Sequence, residues 1–197
     1  MCSRPQRHSA DILHGSRSLA DYKGKWLVLF SHPADFTPVC TTEFGAVAQL
    51  IPEFEKRGTK VLGVSVDSVE DHGKWKADIE KIAGVPANFA IIDDTTLNVA
   101  KAYDMLPAEF YLPTEGRTPA HSATVRTVFI IGPDKKVRLT MTYPMSVGRN
   151  FDEILRAVDA LQAGGWATDA AYRTAFPTLL GGQALALVWL LLPARRG

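Results

Sequence analysis

Cysteine is scarce in this chain: of 197 residues only Cys2 and Cys40 carry a thiol. One pair cannot build a disulfide framework, neither residue belongs to a C-x-x-C, and structural zinc usually takes about four close-set Cys or His ligands. The five histidines, His8, His14, His32, His72 and His121, are scattered, so spacing argues against a metal. An excess charge of one sign is also missing. Lys+Arg is 22 and Asp+Glu 21, a net charge of +1, without the basic surplus of a nucleic-acid binder. Long apolar runs are missing too. The longest, over 179–193, has 15 residues, short of the ~20 that span a bilayer, and reads as a packed or stray helix in preference to a membrane anchor. Residues 1–18 carry three arginines but no apolar segment behind them, so they read as a loose arm and not as a secretory signal. Few cysteines and no signal suit a reducing cytosol.

What remains is an ordinary globular composition, 46% hydrophobic and 22% charged, at a length that buries roughly 70% of the unfolded surface. From Lys25 to Leu161 the pattern alternates strands and helices. Trp26–Phe30 is an uninterrupted apolar run, the mark of a strand buried on both faces. Over 37–57, Phe44, Val47, Ala48, Ile51 and Phe54 recur with helical spacing, Pro52 predicts a kink and Gly58 a stop. A strand over 61–66 precedes a helix opened by Ser68 with Asp71 three residues on. A third strand over 89–92 and a helix near 95–103 follow. Strands over 124–131 and 137–142 flank Gly132-Pro133-Asp134-Lys135-Lys136 as a hairpin. Asn150 caps a last helix whose stripe is Phe151, Ile154, Leu155, Val158 and Leu161. The order predicts an α/β fold, a central mixed sheet flanked by helices. Over 163–197 the pattern degrades and charge nearly vanishes.

The segment Ser31-His32-Pro33-Ala34-Asp35-Phe36-Thr37-Pro38-Val39-Cys40-Thr41-Thr42-Glu43 joins a buried strand to a helix start, where α/β proteins place their sites. Thr37 is a good N-cap and Pro38 a favoured first helical residue, which puts Cys40 in the first turn. Unpaired backbone N–H groups and the positive end of the helix dipole stabilise a thiolate there. Cys40 is therefore a candidate nucleophile; the competing reading is a small buried hydrophobe.

The same segment closely resembles the active-site segment of the 1-Cys peroxiredoxins, whose Pro-x-x-x-Thr-x-x-Cys stands here as Pro33, Thr37 and Cys40. The resemblance continues through Val66–His72, Ile91–Asp94, Val125–Lys136 and Gly148–Arg156, covering about residues 19–162. It implies a thioredoxin-like fold and a thiol peroxidase, an antioxidant oxidoreductase in which Cys40 attacks a hydroperoxide and becomes a sulfenic acid. By resemblance, the Thr37 hydroxyl contacts sulfur and peroxide, Pro33 shields the pocket, and Arg126 favours the thiolate and binds peroxide. Read without the resemblance, Arg126 is an edge-strand residue with a solvated head. His32, Glu43 and Arg149 match positions of a supporting shell. Glu43 pairs with Arg126 or Arg149, or is a solvated helix charge; His32 read alone is a structural histidine.

The resemblance implies no cofactor, a hydroperoxide substrate, an external thiol reductant, a homodimer or higher oligomer, and neither nucleic-acid nor membrane partners. Three features depart from the family. Residues 1–18 lack its opening strand, residues 163–197 do not resemble its C-terminal domain, and Lys23–Leu27 holds no serine where some relatives carry a Gly-x-Ser-x-Gly lipase site, so no phospholipase activity is expected. The two ends are read as divergent or frame-altered. Cys2 lies in the atypical arm, which favours a 1-Cys mechanism; a Cys2–Cys40 disulfide would refute it. The alternatives to a peroxidase are a non-enzymatic holdase built on the apolar tail, and a folded but impaired peroxiredoxin.

Overall fold

The computed structural model describes residues 11–12, 18–111 and 123–164. Cys2, His8, His14, His121 and the apolar run of 179–193 lie outside them. Among the described residues no helix is long and apolar enough to cross a membrane. Six strands form one sheet: β1 (Asp11–Ile12), β2 (Trp26–Ser31), β3 (Thr59–Ser65), β4 (Ala90–Asp93), β5 (Arg126–Ile131) and β6 (Val137–Tyr143), in the order β1-β4-β3-β2-β5-β6. The pairs β2–β3 and β3–β4 are parallel, while β1–β4, β2–β5 and β5–β6 are antiparallel. The sheet is thus mixed, as the alternation of strands and helices predicts. The two-residue β1 lies in the stretch that the sequence reads as a loose arm; backbone pairing over two residues leaves no periodicity to detect.

The α-helices among the described residues are α1 (Pro38–Lys56), α2 (Val69–Ala83), α3 (Asn98–Ala102) and α4 (Phe151–Ala163), with short 3-10 turns at Leu19–Tyr22 and Ala108–Tyr111. The apolar run of β2 is explained by two cores. Phe30 meets Phe44 of α1 at 4.9 Å and Phe151 of α4 at 5.2 Å between ring centroids. The alternate residues Leu27 and Leu29 join Leu62, Val64, Ile92, Val99, Met105 and Phe129 on the other face. Gly63 on β3 has a packing reason: a Cβ there would stand 3.1 Å from the Phe44 ring.

Ends differ from the sequence reading where side chains cap what periodicity cannot show. Helix α3 is shorter than the stretch 95–103. Asp94 accepts from the N–H groups of Val99 and Ala100 at 2.9 and 2.6 Å and sets its start. At α2, Ser68 Oγ accepts from Asp71 N–H at 3.2 Å, and at α4 Asn150 Oδ1 accepts from Asp152 N–H at 3.0 Å, both as expected. The chain stays helical through Pro52. Gly58 follows α1 with φ +61°, the left-handed conformation favoured after a helix. The hairpin between β5 and β6 closes with Lys135 N–H donating to Gly132 C=O at 2.8 Å and Lys135 at φ +64°.

Candidate active site

The carboxyl end of β2 delivers Ser31 and His32, a loop carries Pro33 to Thr37, and α1 begins at Pro38. Thr37 is the N-cap residue, with φ −81° and ψ 145°. Its hydroxyl does not cap the helix; it donates to Ala34 C=O at 3.1 Å, which ties the loop to itself. The first helical bond is Thr41 N–H to Thr37 C=O at 2.9 Å. The N–H groups of Val39 and Cys40 therefore have no intrahelical acceptor. Cys40 and Pro33 are buried and Thr37 is half-buried.

Arg126 reaches Cys40 from the next antiparallel strand, β5. Its Nη1 lies 3.5 Å from Cys40 Sγ and donates to Glu43 Oε2 at 2.5 Å, while Nε donates to Met145 C=O at 2.7 Å. Only 3% of Arg126 is exposed, so the reading of a solvated edge residue is corrected: a carboxylate on the facing helix supplies the buried partner. Arg149 grips the same carboxylate as a fork, Nε to Oε1 at 2.9 Å and Nη2 to Oε2 at 3.0 Å, with its backbone N–H on Oε1 at 2.6 Å. Its Nη1 donates to Ser31 C=O at 2.7 Å, and its guanidinium lies 5.1 Å from the centre of the Phe30 ring. Glu43 thus pairs with both arginines, and the reading of it as a solvated helix charge is overturned. Two guanidinium groups that stay protonated and one carboxylate leave a surplus positive charge beside the sulfur.

His32 belongs to a second buried cluster that sequence reasoning did not assemble. Asp35 Oδ1 accepts from His32 Nε2 at 2.7 Å and Oδ2 from His72 Nδ1 at 2.6 Å, while His72 Nε2 donates to Ile92 C=O at 3.1 Å. Asp67 Oδ2 accepts from the Asp35 N–H at 3.0 Å and from Ser65 Oγ at 2.7 Å. Burial pushes His32 down from the ordinary histidine value, against the pull of Asp35. Burial also opposes a charged His72, but the hydrogen bond and charge of Asp35 outweigh it and hold His72 above the ordinary value. Burial would raise Asp35, yet the two histidines hold its carboxyl below the usual range. His32, Asp35 and Asp67 bring donor atoms within 4.8 Å of one another, but the oxygens that meet there already accept protein hydrogen bonds, which makes the cluster a polar network. Trp75 closes over it, 5.1 Å from the His32 ring, with Nε1 donating to Thr41 Oγ1 at 3.0 Å. Asp35 and His72 are 37 positions apart, and nothing local in the sequence says that they meet.

Every described candidate from the sequence reading is thus placed at one end of β2. The sequence profile of the AhpC/TSA family matches residues 6–140. The chain belongs to the AhpC/TSA family. Within it, the chain is 54% identical over 155 residues to the mitochondrial peroxiredoxin PRX1 of Saccharomyces cerevisiae, an alignment that covers 78% of this chain and 58% of that protein. It is 50% identical over 147 residues to peroxiredoxin-6 of Rattus norvegicus, covering 72% of this chain and 63% of the relative. The chain therefore spans about three fifths of these curated relatives' length. Among solved structures, a mutant of peroxiredoxin 6 from Arenicola marina superposes with a TM-score of 0.73 at 43% identity, covering 81% of this chain and 72% of that one. A yeast mitochondrial 1-Cys peroxiredoxin superposes with 0.71 at 51% identity, covering 81% and 75%. The fold is accordingly the thioredoxin-like α/β fold of the peroxiredoxins.

Proposed function

We propose that this chain is a 1-Cys thiol peroxidase whose nucleophile is Cys40. The observation that carries the proposal is the Arg126 Nη1–Cys40 Sγ approach of 3.5 Å, made by a guanidinium whose charge Glu43 shares with Arg149. An ionised sulfur balances the surplus charge, and a thiolate is the form that attacks. The thiolate attacks the terminal oxygen of a hydroperoxide, an S–O bond forms, the O–O bond breaks, and the departing alkoxide or hydroxide takes a proton to leave as alcohol or water. Cys40 is left as a sulfenic acid. Arg126 and the free N–H groups of the first helical turn supply donors where negative charge develops on the breaking bond. Pro33, buried in the loop before Cys40, has by the family resemblance the role of shielding the sulfur from water.

Two equivalents of an external thiol then return Cys40 to the thiol, with water and a disulfide as products. The yeast 1-Cys relative is described as resolved through glutathione and thioredoxin systems, which supports a small thiol or a dithiol protein as the reductant. The protein acts in the cytoplasm as a homodimer or larger homo-oligomer in this reading. The test is consumption of hydrogen peroxide and an organic hydroperoxide with dithiothreitol as reductant. Cys40→Ser abolishes turnover if the proposal holds, and unchanged turnover in that variant overturns it. Mass spectrometry after one equivalent of peroxide shows a sulfenic acid at Cys40; a Cys2–Cys40 disulfide overturns the 1-Cys mechanism.

A further inference from the structure

His72 makes two hydrogen bonds whose partners both accept. The Ile92 carbonyl has no proton to give, so Nε2 carries one. Asp35 Oδ2, as part of an ionised carboxylate, has none either, so Nδ1 carries the second. An imidazole with both nitrogens protonated is a cation. His32 fills the same carboxylate differently: Nε2 donates to Oδ1 at 2.7 Å, while Nδ1 is buried with no hydrogen-bond partner, the pattern of a neutral ring. One carboxylate thus receives one neutral and one cationic donor, and His72, Asp35 and His32 all stand in the buried interior.

The ion pair is built onto the loop that matters. Asp35 lies between Pro33 and Thr37, and its backbone N–H is fixed by Asp67. The next residue, Phe36, has φ +57° and is 51% exposed. A bulky residue in that region is strained and persists only where its surroundings dictate it. Asp35 on one side and the Thr37–Ala34 bond on the other are the restraints. The charged groups around His72 are Asp35 from the loop, His32 from the end of β2, Asp67 from the β3–α2 connection and Asp93 from the end of β4. The carboxylates favour the cation, burial opposes it, and the neutral His32 ring 6.3 Å away adds no competing charge.

We infer that His72 is carried as an imidazolium and that its ion pair with Asp35 is the latch that positions the Pro33–Thr37 loop for Cys40. His72 is a positioning residue: it acts through Asp35 and touches neither sulfur nor substrate. Loss of its second proton at alkaline pH leaves one proton for two buried acceptors. Either Asp35 or Ile92 then loses a donor, and the strained loop loses a restraint. The peroxidase consequence rests on the function proposed above; the latch itself does not.

The decisive experiment is NMR on the full chain with 13C/15N-labelled histidine and uniformly 15N-labelled backbone, titrated from pH 6 to 10. The His72→Gln spectrum assigns the His72 ring. The expected result is a doubly protonated His72 ring at pH 7, with the amide shifts of Ala34 to Thr37 moving at the same midpoint as the ring when pH rises. A ring with one proton at pH 7, or loop amides indifferent to its titration, overturns the proposal. In parallel, stopped-flow oxidation of Cys40 by peroxide is expected to fall roughly tenfold or more above that midpoint. His72→Gln, which keeps a neutral donor, is expected to sit near the lower rate and to lose that alkaline limb. Superimposable pH profiles in the two proteins reject the positioning role. If neither protein reacts with peroxide, the peroxidase reading fails while the ring and loop titrations still decide the latch.

Discussion

Arg126 and Glu43 meet at 2.5 Å from opposite sides of the site, one on β5 and the other in the second turn of α1, with Cys40 Sγ 3.5 Å from the same Arg126 nitrogen. The carboxylate fixes where the guanidinium points, and the guanidinium fixes the charge that the sulfur meets. Arg126→Lys keeps the charge but not the planar fork that serves Glu43, Met145 and Cys40 together. Its expected effect is a loss of about 10²–10³ in the rate of Cys40 oxidation, the size seen when one donor to a developing anion is removed. Stopped-flow tryptophan fluorescence measures it, and a loss of less than about threefold would show that charge, not fork geometry, is all that Arg126 contributes.

Glu43→Ala should act on stability first. It leaves two buried guanidinium groups facing each other without a counter-charge, and removing one partner of a buried pair typically costs about 3–5 kcal/mol. Urea unfolding of wild type and variant provides the comparison. A smaller loss in the double variant Glu43→Ala, Arg149→Met than in the single one is the expected sign of an uncompensated cation.

Thr37 separates chemistry from folding. Its hydroxyl makes no helix-capping bond and holds only Ala34 C=O, at 3.1 Å. Thr37→Val should therefore lower stability by no more than about 1 kcal/mol, while slowing Cys40 oxidation by about 10–100-fold if the hydroxyl orients peroxide. Thr37→Ser should restore most of the rate. A Thr37→Val protein that oxidises at the wild-type rate would remove Thr37 from the chemistry.

Much of this was legible in the sequence for physical reasons that differ from residue to residue. Phe30, buried against Phe44 and Phe151, announces itself because a strand covered on both faces has no polar positions to alternate with. Cys40 was found because an N-cap, a proline and a cysteine at fixed offsets determine a first-turn position whatever the rest of the chain does. The sequence offers Arg126 or Arg149 as a partner for Glu43 but leaves a solvated charge equally open, since Arg126 and Glu43 lie 83 positions apart and only the register of β5 beside β2 brings them together. Asp35 and His72 were missed as a pair for the same reason. The early start of β3 at Thr59 and the late start of α3 at Asn98 follow from strand pairing with Trp26 and from the Asp94 cap, neither of which has a period.

The acid limb of stability should be steep. His32 is held below the ordinary histidine value by burial, so as pH falls below about 6.5 the unfolded chain takes a proton that the folded one refuses, and stability declines. Burial opposes the charge on Asp35, but its two histidine bonds keep its carboxyl low. Its contribution is present above about pH 3.8 and is lost as pH falls through its depressed folded value. Asp94 works the other way. Burial raises it despite three backbone donors, so its stabilisation belongs to the range below about pH 3.8 and is lost as pH rises through its folded value. Asp35→Asn is expected to be less stable than wild type at pH 7, by about 3–5 kcal/mol because it strands the His72 cation, with the gap narrowing below pH 3.8. A gap that stays constant with pH, measured by urea unfolding at each pH, would show that Asp35 is not ionised in the fold.

Gly63 offers a test of how tightly the site's floor is built. Phe44 follows Glu43 in α1, packs against Phe30 at 4.9 Å and His32 at 4.6 Å, and brings its ring edge close to Gly63 of β3. A Cβ on Gly63 would stand 3.1 Å from two ring carbons, tighter than an ordinary contact, and the ring has Trp75 at 4.7 Å behind it. The strain cannot be relieved by a flexible chain end, so Gly63→Ala should cost about 1–3 kcal/mol even though alanine favours neither strand nor turn strongly. Because Phe44 adjoins Glu43, the displacement passes along α1 to the carboxylate that holds Arg126. Gly63→Ala should therefore also slow Cys40 oxidation, and a further truncation of the ring, Phe44→Leu, should recover part of the lost stability in the double variant. Full additivity of the two substitutions in urea unfolding would show that Gly63 and Phe44 do not press on each other.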